Sequence, residues 1–213
     1  MNIVSGILTS YLLGSFPTAY LFGKVYKGID IREHGSGNVG ATNVFRVLGK
    51  VPGITVLVID ILKGVIALTV VGDLFCLQGV VARALLGVAV VVGHNWTVFL
   101  KFKGGKGVAT SLGVLIGLTI KFSVLRPVLF ICLSGWIISF VLSGYVSLAS
   151  IFASILMPVV MVLTGQKLEI IISGVVFCGF VVLRHRPNIK RLLGGNESRI
   201  FVPFQRKDAD KHR

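Results

Sequence analysis

Residues 104 to 107, Gly-Gly-Lys-Gly, set three glycines around one lysine immediately before an apolar run. Glycine lets backbone amides come close to an anion, and a helix that starts after such a loop turns its positive end toward the same place. Lys106 adds a full charge, and Lys101 and Lys103 raise the local potential. Gly104, Gly105, Lys106 and Gly107, with Lys103, are therefore candidate phosphate binders. The stretch is not a Walker A loop, because Leu100 stands where its first glycine belongs and Gly107 replaces the Ser or Thr that would hold magnesium. Phosphate binding survives that test and nucleotide hydrolysis does not. A flexible basic loop touching anionic lipid headgroups is the alternative reading.

Two other polar segments carry similar chemistry. "HGSGNVGATNVFR", residues 34 to 46, gathers Ser36, Gly37, Asn38, Thr42, Asn43 and Arg46. Hydroxyls, amides and one guanidinium suit phosphate or carboxyl oxygens, and Arg can supply two parallel hydrogen bonds where Lys cannot. Taken alone, glycine beside asparagine is also plain turn chemistry. "RHRPNIKRLLGGNE", residues 184 to 197, offers His185 and Asn188. Flanking guanidiniums oppose protonation of His185, leaving it free to hydrogen-bond or act as a base. Arg184 reads as a snorkelling anchor and Glu197 as a partner for nearby cations. Asp60 and Lys63, three apart inside an apolar run, share a helical face and can neutralise each other. His94 reads either as a buried, hydrogen-bonded structural histidine or as a brace for the lysine loop, and Arg83 is expected to snorkel outward.

The elements that hold these residues lie in a membrane. The 213 residues are 54% hydrophobic and 14% charged, with a mean hydropathy of +0.89, outside the range of ordinary soluble domains. Apolar runs at roughly 2–23, 54–72, 79–98, 107–120, 127–143, 146–164 and 169–184 predict seven spans, the fourth short enough to tilt or dip back. No period-two alternation supports a barrel, so the fold class is all-α, a polytopic helix bundle. A five-span arrangement is the alternative. We expect one integral membrane domain over residues 1–199 and a polar tail over 200–213.

The first run lacks the charged start and cleavage site of a removable signal peptide. Cys76, Cys132 and Cys178 are scattered and read as packing residues. Of the 22 Lys and Arg, 17 fall on one side of the seven-span arrangement and three on the other, which puts the N-terminus outside and the C-terminus in the cytoplasm. The same asymmetry explains the net charge of +14 without nucleic acid. All three polar segments then face the cytoplasm and can converge.

"GSGNVGATNVFR", "GHNWTVFLKFKGGKGVAT" and "RHRPNIKRLLGGNE", in this order, resemble the motifs of the bacterial acyl-phosphate-dependent glycerol-3-phosphate acyltransferases of the inner membrane. The resemblance runs from the first span to about Glu197. It implies transfer of a fatty acyl group from acyl phosphate to the sn-1 hydroxyl of glycerol 3-phosphate, giving lysophosphatidic acid and inorganic phosphate. It assigns glycerol 3-phosphate to Gly104, Gly105, Lys106 and Gly107, and matches the family's Ser and Arg to Ser36 and Arg46 and its His and Asn to His185 and Asn188. We expect these last four to be catalytic. Substrate is expected on Gly37, Asn38, Thr42, Asn43 and Lys103 as well. A monomer surrounded by lipid, needing neither metal nor cofactor, is expected.

The turn "SGYVSLAS" departs from the family in carrying Gly144 where a bulkier residue is expected. No His-x-x-x-x-Asp occurs, which disfavours the coenzyme A type of glycerolipid acyltransferase. An anion transporter is the rival from another class, but the loops on the outer side are short and nearly featureless.

Overall fold

The computed structural model describes residues 2–200, so the expected tail lies, beyond Ile200, outside the described residues. Those residues form helices and no strand. In chain order they are α1 (Asn2–Ser15), α2 (Thr18–Lys27), α3 (Ala41–Leu48), α4 (Lys50–Ile66), which runs through a π-turn (Ala67–Val71) into the short α5 (Gly72–Leu74), then α6 (Val80–Asn95), α7 (Val108–Lys121), α8 (Arg126–Ser143), α9 (Val146–Leu163), α10 (Leu168–Arg184) and α11 (Arg186–Leu193).

Apolar helix stands at every place where the sequence predicts a span. Among the described residues four stretches are long and apolar enough to cross a membrane: Lys50–Leu74, Val80–Leu100, Ser123–Ser143 and Val146–Leu163. A fifth is reached if α10 and α11, bent by 61°, count as one. The helix expected over 2–23 is broken. Pro17 has no N–H to donate and pushes Phe16 out of the helical region, so α1 stops at Ser15 and α2 begins at Thr18. Lys63 Nζ crosses to the Phe16 carbonyl at the break, 2.7 Å away.

Helix α1 packs on α6, α4 on α7, and α9 between α8 and α10. The faces that meet are small. A side chain added at Gly14 or Gly93 would collide with backbone carbonyls across the α1–α6 seam, and one at Gly64 or Gly113 with those across α4–α7. Large side chains point the other way, with Val4, Leu8 and Leu12 of α1 exposed on its outer face. Small residues inside and large ones outside are what lipid favours, because burying leucine gains little when the solvent is itself hydrocarbon.

Arg83 corrects one expectation. It is 1% exposed rather than snorkelling. Its guanidinium donates to the Leu68 carbonyl in the π-turn and to Asp73 at 2.5 Å, and Asp73 also pairs with Lys121 at 2.5 Å. A π-turn reroutes the backbone ladder, and a buried cation here meets a carbonyl that faces it. The three cysteines are free.

Candidate active site

A cavity of about 590 Å³ opens where α3, α4, α7, α8, α9 and α11 come together. All three polar segments reach it. Of the residues expected to act, Ser36, Asn38, Thr42, Asn43, Arg46, Lys106, Gly107, His185 and Asn188 line it. Gly37, Lys103, Gly104 and Gly105 do not.

The first segment is held by Asn43, which is fully buried. Its Oδ1 accepts from the Ser36 amide at 2.8 Å, and its Nδ2 donates to the carbonyls of Ile31 at 3.1 Å and His34 at 3.0 Å. Asn43 therefore shapes the turn that carries Ser36, with both ends of its amide already engaged. Gly37 has φ +68 and stands against the Arg32 carbonyl, so its role is the turn itself. Among the described residues no hydrogen bond engages the Ser36 hydroxyl, which shares the cavity with His185 and Lys106.

The lysine loop departs from expectation in a specific way. The Gly104 and Gly105 amides donate to the carbonyls of Asn95 at 3.1 Å and His94 at 3.0 Å, so neither is available to an anion. Their own carbonyls accept from Arg184 at 2.8 and 2.9 Å, while the same guanidinium lies over the Trp96 ring at 5.7 Å. Arg184 is thus a clamp on the loop rather than a snorkelling anchor. Lys103 is exposed outside the cavity. The two glycines lock the hairpin that delivers Lys106 and Gly107 to the cavity wall, and the His94 ring packs against Gly105.

Two helix N-termini line this cavity. Helix α3 starts at Gly40 and α7 at Gly107, and neither has a side-chain cap. Gly40, Ala41 and Thr42 line one side, and Gly107, Val108 and Ala109 the other. The first amides of a helix have no internal acceptor and carry partial positive charge. Lys106 Nζ donates to Asn188 Oδ1 at 2.5 Å. Asn188 Nδ2 donates to Glu197 Oε1 at 2.6 Å, where Ser147 also donates at 2.8 Å, and Arg191 closes on Oε2 at 2.7 Å. Burial raises the Glu197 carboxyl, but these hydrogen bonds outweigh it and hold the group below its ordinary value. Glu197 is the cation partner that the sequence suggests.

His185 sits at the bend between α10 and α11, 2% exposed. Its Nδ1 lies 2.8 Å from the Val181 carbonyl, which can only accept, so Nδ1 carries the proton and Nε2 a lone pair. Burial first, then the charge of Lys106, lowers it to about 4, so it is neutral at physiological pH. Beyond Glu197 the chain straps across the cavity. Arg46 donates to the Ser198 carbonyl at 3.0 Å and the Ile200 amide to the Gly144 carbonyl at 3.0 Å.

Unpaired helix-start amides, a lysine and an arginine around one apolar-walled cavity fit an anionic substrate with a lipid-soluble part. Residues 4–195 match the protein family described as Glycerol-3-phosphate acyltransferase. The chain belongs to that family. Glycerol-3-phosphate acyltransferases of Desulforudis audaxviator (47% identity over 200 residues, 93% of this chain and 96% of the relative) and of Nostoc sp. (43% over 209 residues, 91% and 90%) are among its relatives. Its fold is similar to crystal structures of PlsY (YgiH), an integral membrane glycerol 3-phosphate acyltransferase, in a glycerol 3-phosphate form (TM-score 0.84, 38% identity, 94% of this chain and 96% of that one) and a lysophosphatidic acid form (TM-score 0.81, 38% identity, 93% and 95%).

This acyltransferase also lines its cavity with residues that sequence reading passes over. Ser147, Ser150 and Ser154 face it from α9. Their spacing of three and four was visible, but serine is common wherever membrane helices pack. Asp60 and His94, both of which the sequence does single out, line it as well. Asp60 Oδ1 accepts from Lys63 at 2.8 Å and Thr18 at 3.2 Å, so the two charges do neutralise each other across one helix turn.

Proposed function

We propose that this acyltransferase moves a fatty acyl group from acyl phosphate to the sn-1 hydroxyl of glycerol 3-phosphate, releasing lysophosphatidic acid and inorganic phosphate. The observation that carries this reading is one cavity with a doubly cationic polar mouth and apolar walls. Two phosphate-bearing reactants need two anion pockets at a water boundary, and the acyl tail needs hydrocarbon. Lys106 and the α7 N-terminus make one pocket, and Arg46 with the α3 N-terminus the other. A mixed anhydride already carries a good leaving group, so positioning and charge stabilisation suffice.

In this mechanism the glycerol hydroxyl oxygen attacks the acyl carbonyl carbon directly. The bond from that carbon to the phosphate oxygen breaks, and the hydroxyl proton passes to a substrate phosphate oxygen. Neutral His185 orients the hydroxyl through Nε2, and Asn188 holds Lys106 on the phosphate. Ser36 binds without forming an acyl-enzyme, which is supported by a hydroxyl that no hydrogen bond engages among the described residues. Seven helical passages, the N-terminus outside and the mouth in the cytoplasm are the arrangement favoured by the asymmetry of 17 basic residues to three.

Sealed vesicles of opposite orientation, given labelled glycerol 3-phosphate and either acyl phosphate or acyl thioesters, test this reading. Product forms only from acyl phosphate and only where the cytoplasmic face is outward. Use of thioesters alone defeats the donor assignment, and product from the opposite orientation defeats the topology.

A pH dependence follows as well. Burial, the largest influence, and then the positive charges of Arg191, Arg46 and Arg184 pull Lys106 down to about 8, with Glu197 opposing them. Lys106 is charged below that value and neutral above it. The kcat/KM for glycerol 3-phosphate, which reports the free enzyme, therefore falls as pH rises through about 8. A profile that stays flat well beyond that pH removes Lys106 from anion binding.

A further inference from the structure

Below its polar mouth the cavity continues as an apolar slot. Its lining descends α8 from Phe140 to Leu129, about 16 Å along the helix axis. On α9 it descends from Val146 to Met157, an equal depth. The upper part is open, since Leu57 of α4 and Ile137 of α8 line it while being 40% and 47% exposed. The lower end is different. There Leu115, Cys132, Met157 and Phe177, from four helices, are buried in one continuous apolar core, with Leu129 packed against them. Leu118, Val128 and Met161 of the same core close the bundle further on.

We propose that this packed floor, formed by Leu115, Cys132, Met157 and Phe177, sets the longest acyl chain that the enzyme uses. The inference rests on the acyl-phosphate reading above, with the anhydride at Lys106 and Arg46 and the chain running down the slot. Because the head is fixed at the mouth by charge, chain length is measured from there. A terminal methyl that reaches the floor fills the slot. One more carbon has to displace side chains from a close-packed core, which resists added volume. A shorter chain leaves apolar surface uncovered and loses contact. The competing route lies through the open upper part at Leu57 and Ile137, where a tail of any length would trail into lipid and the floor would not matter.

Substitutions that raise or lower the floor separate these routes. Purified protein is offered decanoyl, dodecanoyl, tetradecanoyl, hexadecanoyl and octadecanoyl phosphate in pairwise competition with labelled glycerol 3-phosphate. Cys132→Phe moves the preferred length to shorter chains, changing the short-to-long ratio of kcat/KM by about tenfold or more, the scale on which apolar pockets discriminate single methylenes. Met157→Ala moves it to longer chains. Continued turnover of the shortest donor shows that Cys132→Phe has folded, and the opposite shift in Met157→Ala keeps the test open if it has not. Unchanged preference in both active variants overturns the proposal. Activity of the wild-type protein with thioesters alone defeats the donor reading instead, and leaves the length ratio measurable on those thioesters, so the two failures are told apart.

Discussion

Lys106→Met lowers kcat/KM for glycerol 3-phosphate by about 10²–10³-fold, the usual loss when one preorganised charge or donor is taken from a developing anion. On the proposed reading Lys106 is the one full charge at the α7 N-terminus, aimed by Asn188 at 2.5 Å. The substitution should not unfold the protein. Burial disfavours the charged form of this lysine, so removing the charge leaves the thermal midpoint in detergent unchanged or higher. A variant that keeps activity within tenfold of the wild type takes Lys106 out of the site. One that loses activity and thermal stability together makes its role structural.

The largest effect on folding is expected at Gly113. Any side chain there meets the Ile61 carbonyl and the backbone at Gly64 across the α4–α7 seam. Neither obstacle is the end of a flexible side chain that could turn aside. Gly113→Leu is therefore expected to cost about 4 kcal/mol or more, in the range reached only by gross steric or core damage and comparable to the whole margin of a typical fold. The yield of monodisperse protein in detergent, and its thermal midpoint, measure this. A variant as stable as the wild type means that α4 and α7 do not approach as closely as described. Activity should fail along with folding, because the same helix that needs this contact carries Lys106 and Gly107 at its start.

The sequence makes the convergence of the three polar segments legible, since charge asymmetry and glycine-rich breaks in apolar runs are properties of composition. Nine of the thirteen site candidates line one cavity. The Asp60–Lys63 pair is legible for the same kind of reason, a fixed helical spacing. What composition does not encode is direction. Gly104 and Gly105 look the same in the chain as Gly107, yet only tertiary structure shows that their amides are taken by the carbonyls of His94 and Asn95. Arg184 and Arg83 were read as snorkelling because long cations near span ends usually do so; here each finds buried carbonyls.

The break at Pro17 escaped for a different reason. Apolar residues continue on both sides of it, so an average over the window stays high while the backbone ladder stops. The faces of the helices were equally hidden. With lipid outside and leucine as welcome there as in the core, the amphipathic signal that orients a soluble helix is absent.

The strap from Glu197 to Ile200 has a consequence for biosynthesis. It ties α11, the α8–α9 turn and Arg46 together from beyond the last helix described. In a nascent polypeptide every hydrophobic passage leaves the ribosome before the residues that seal the rim of the reaction chamber. The rim therefore closes only after the embedded portion has emerged.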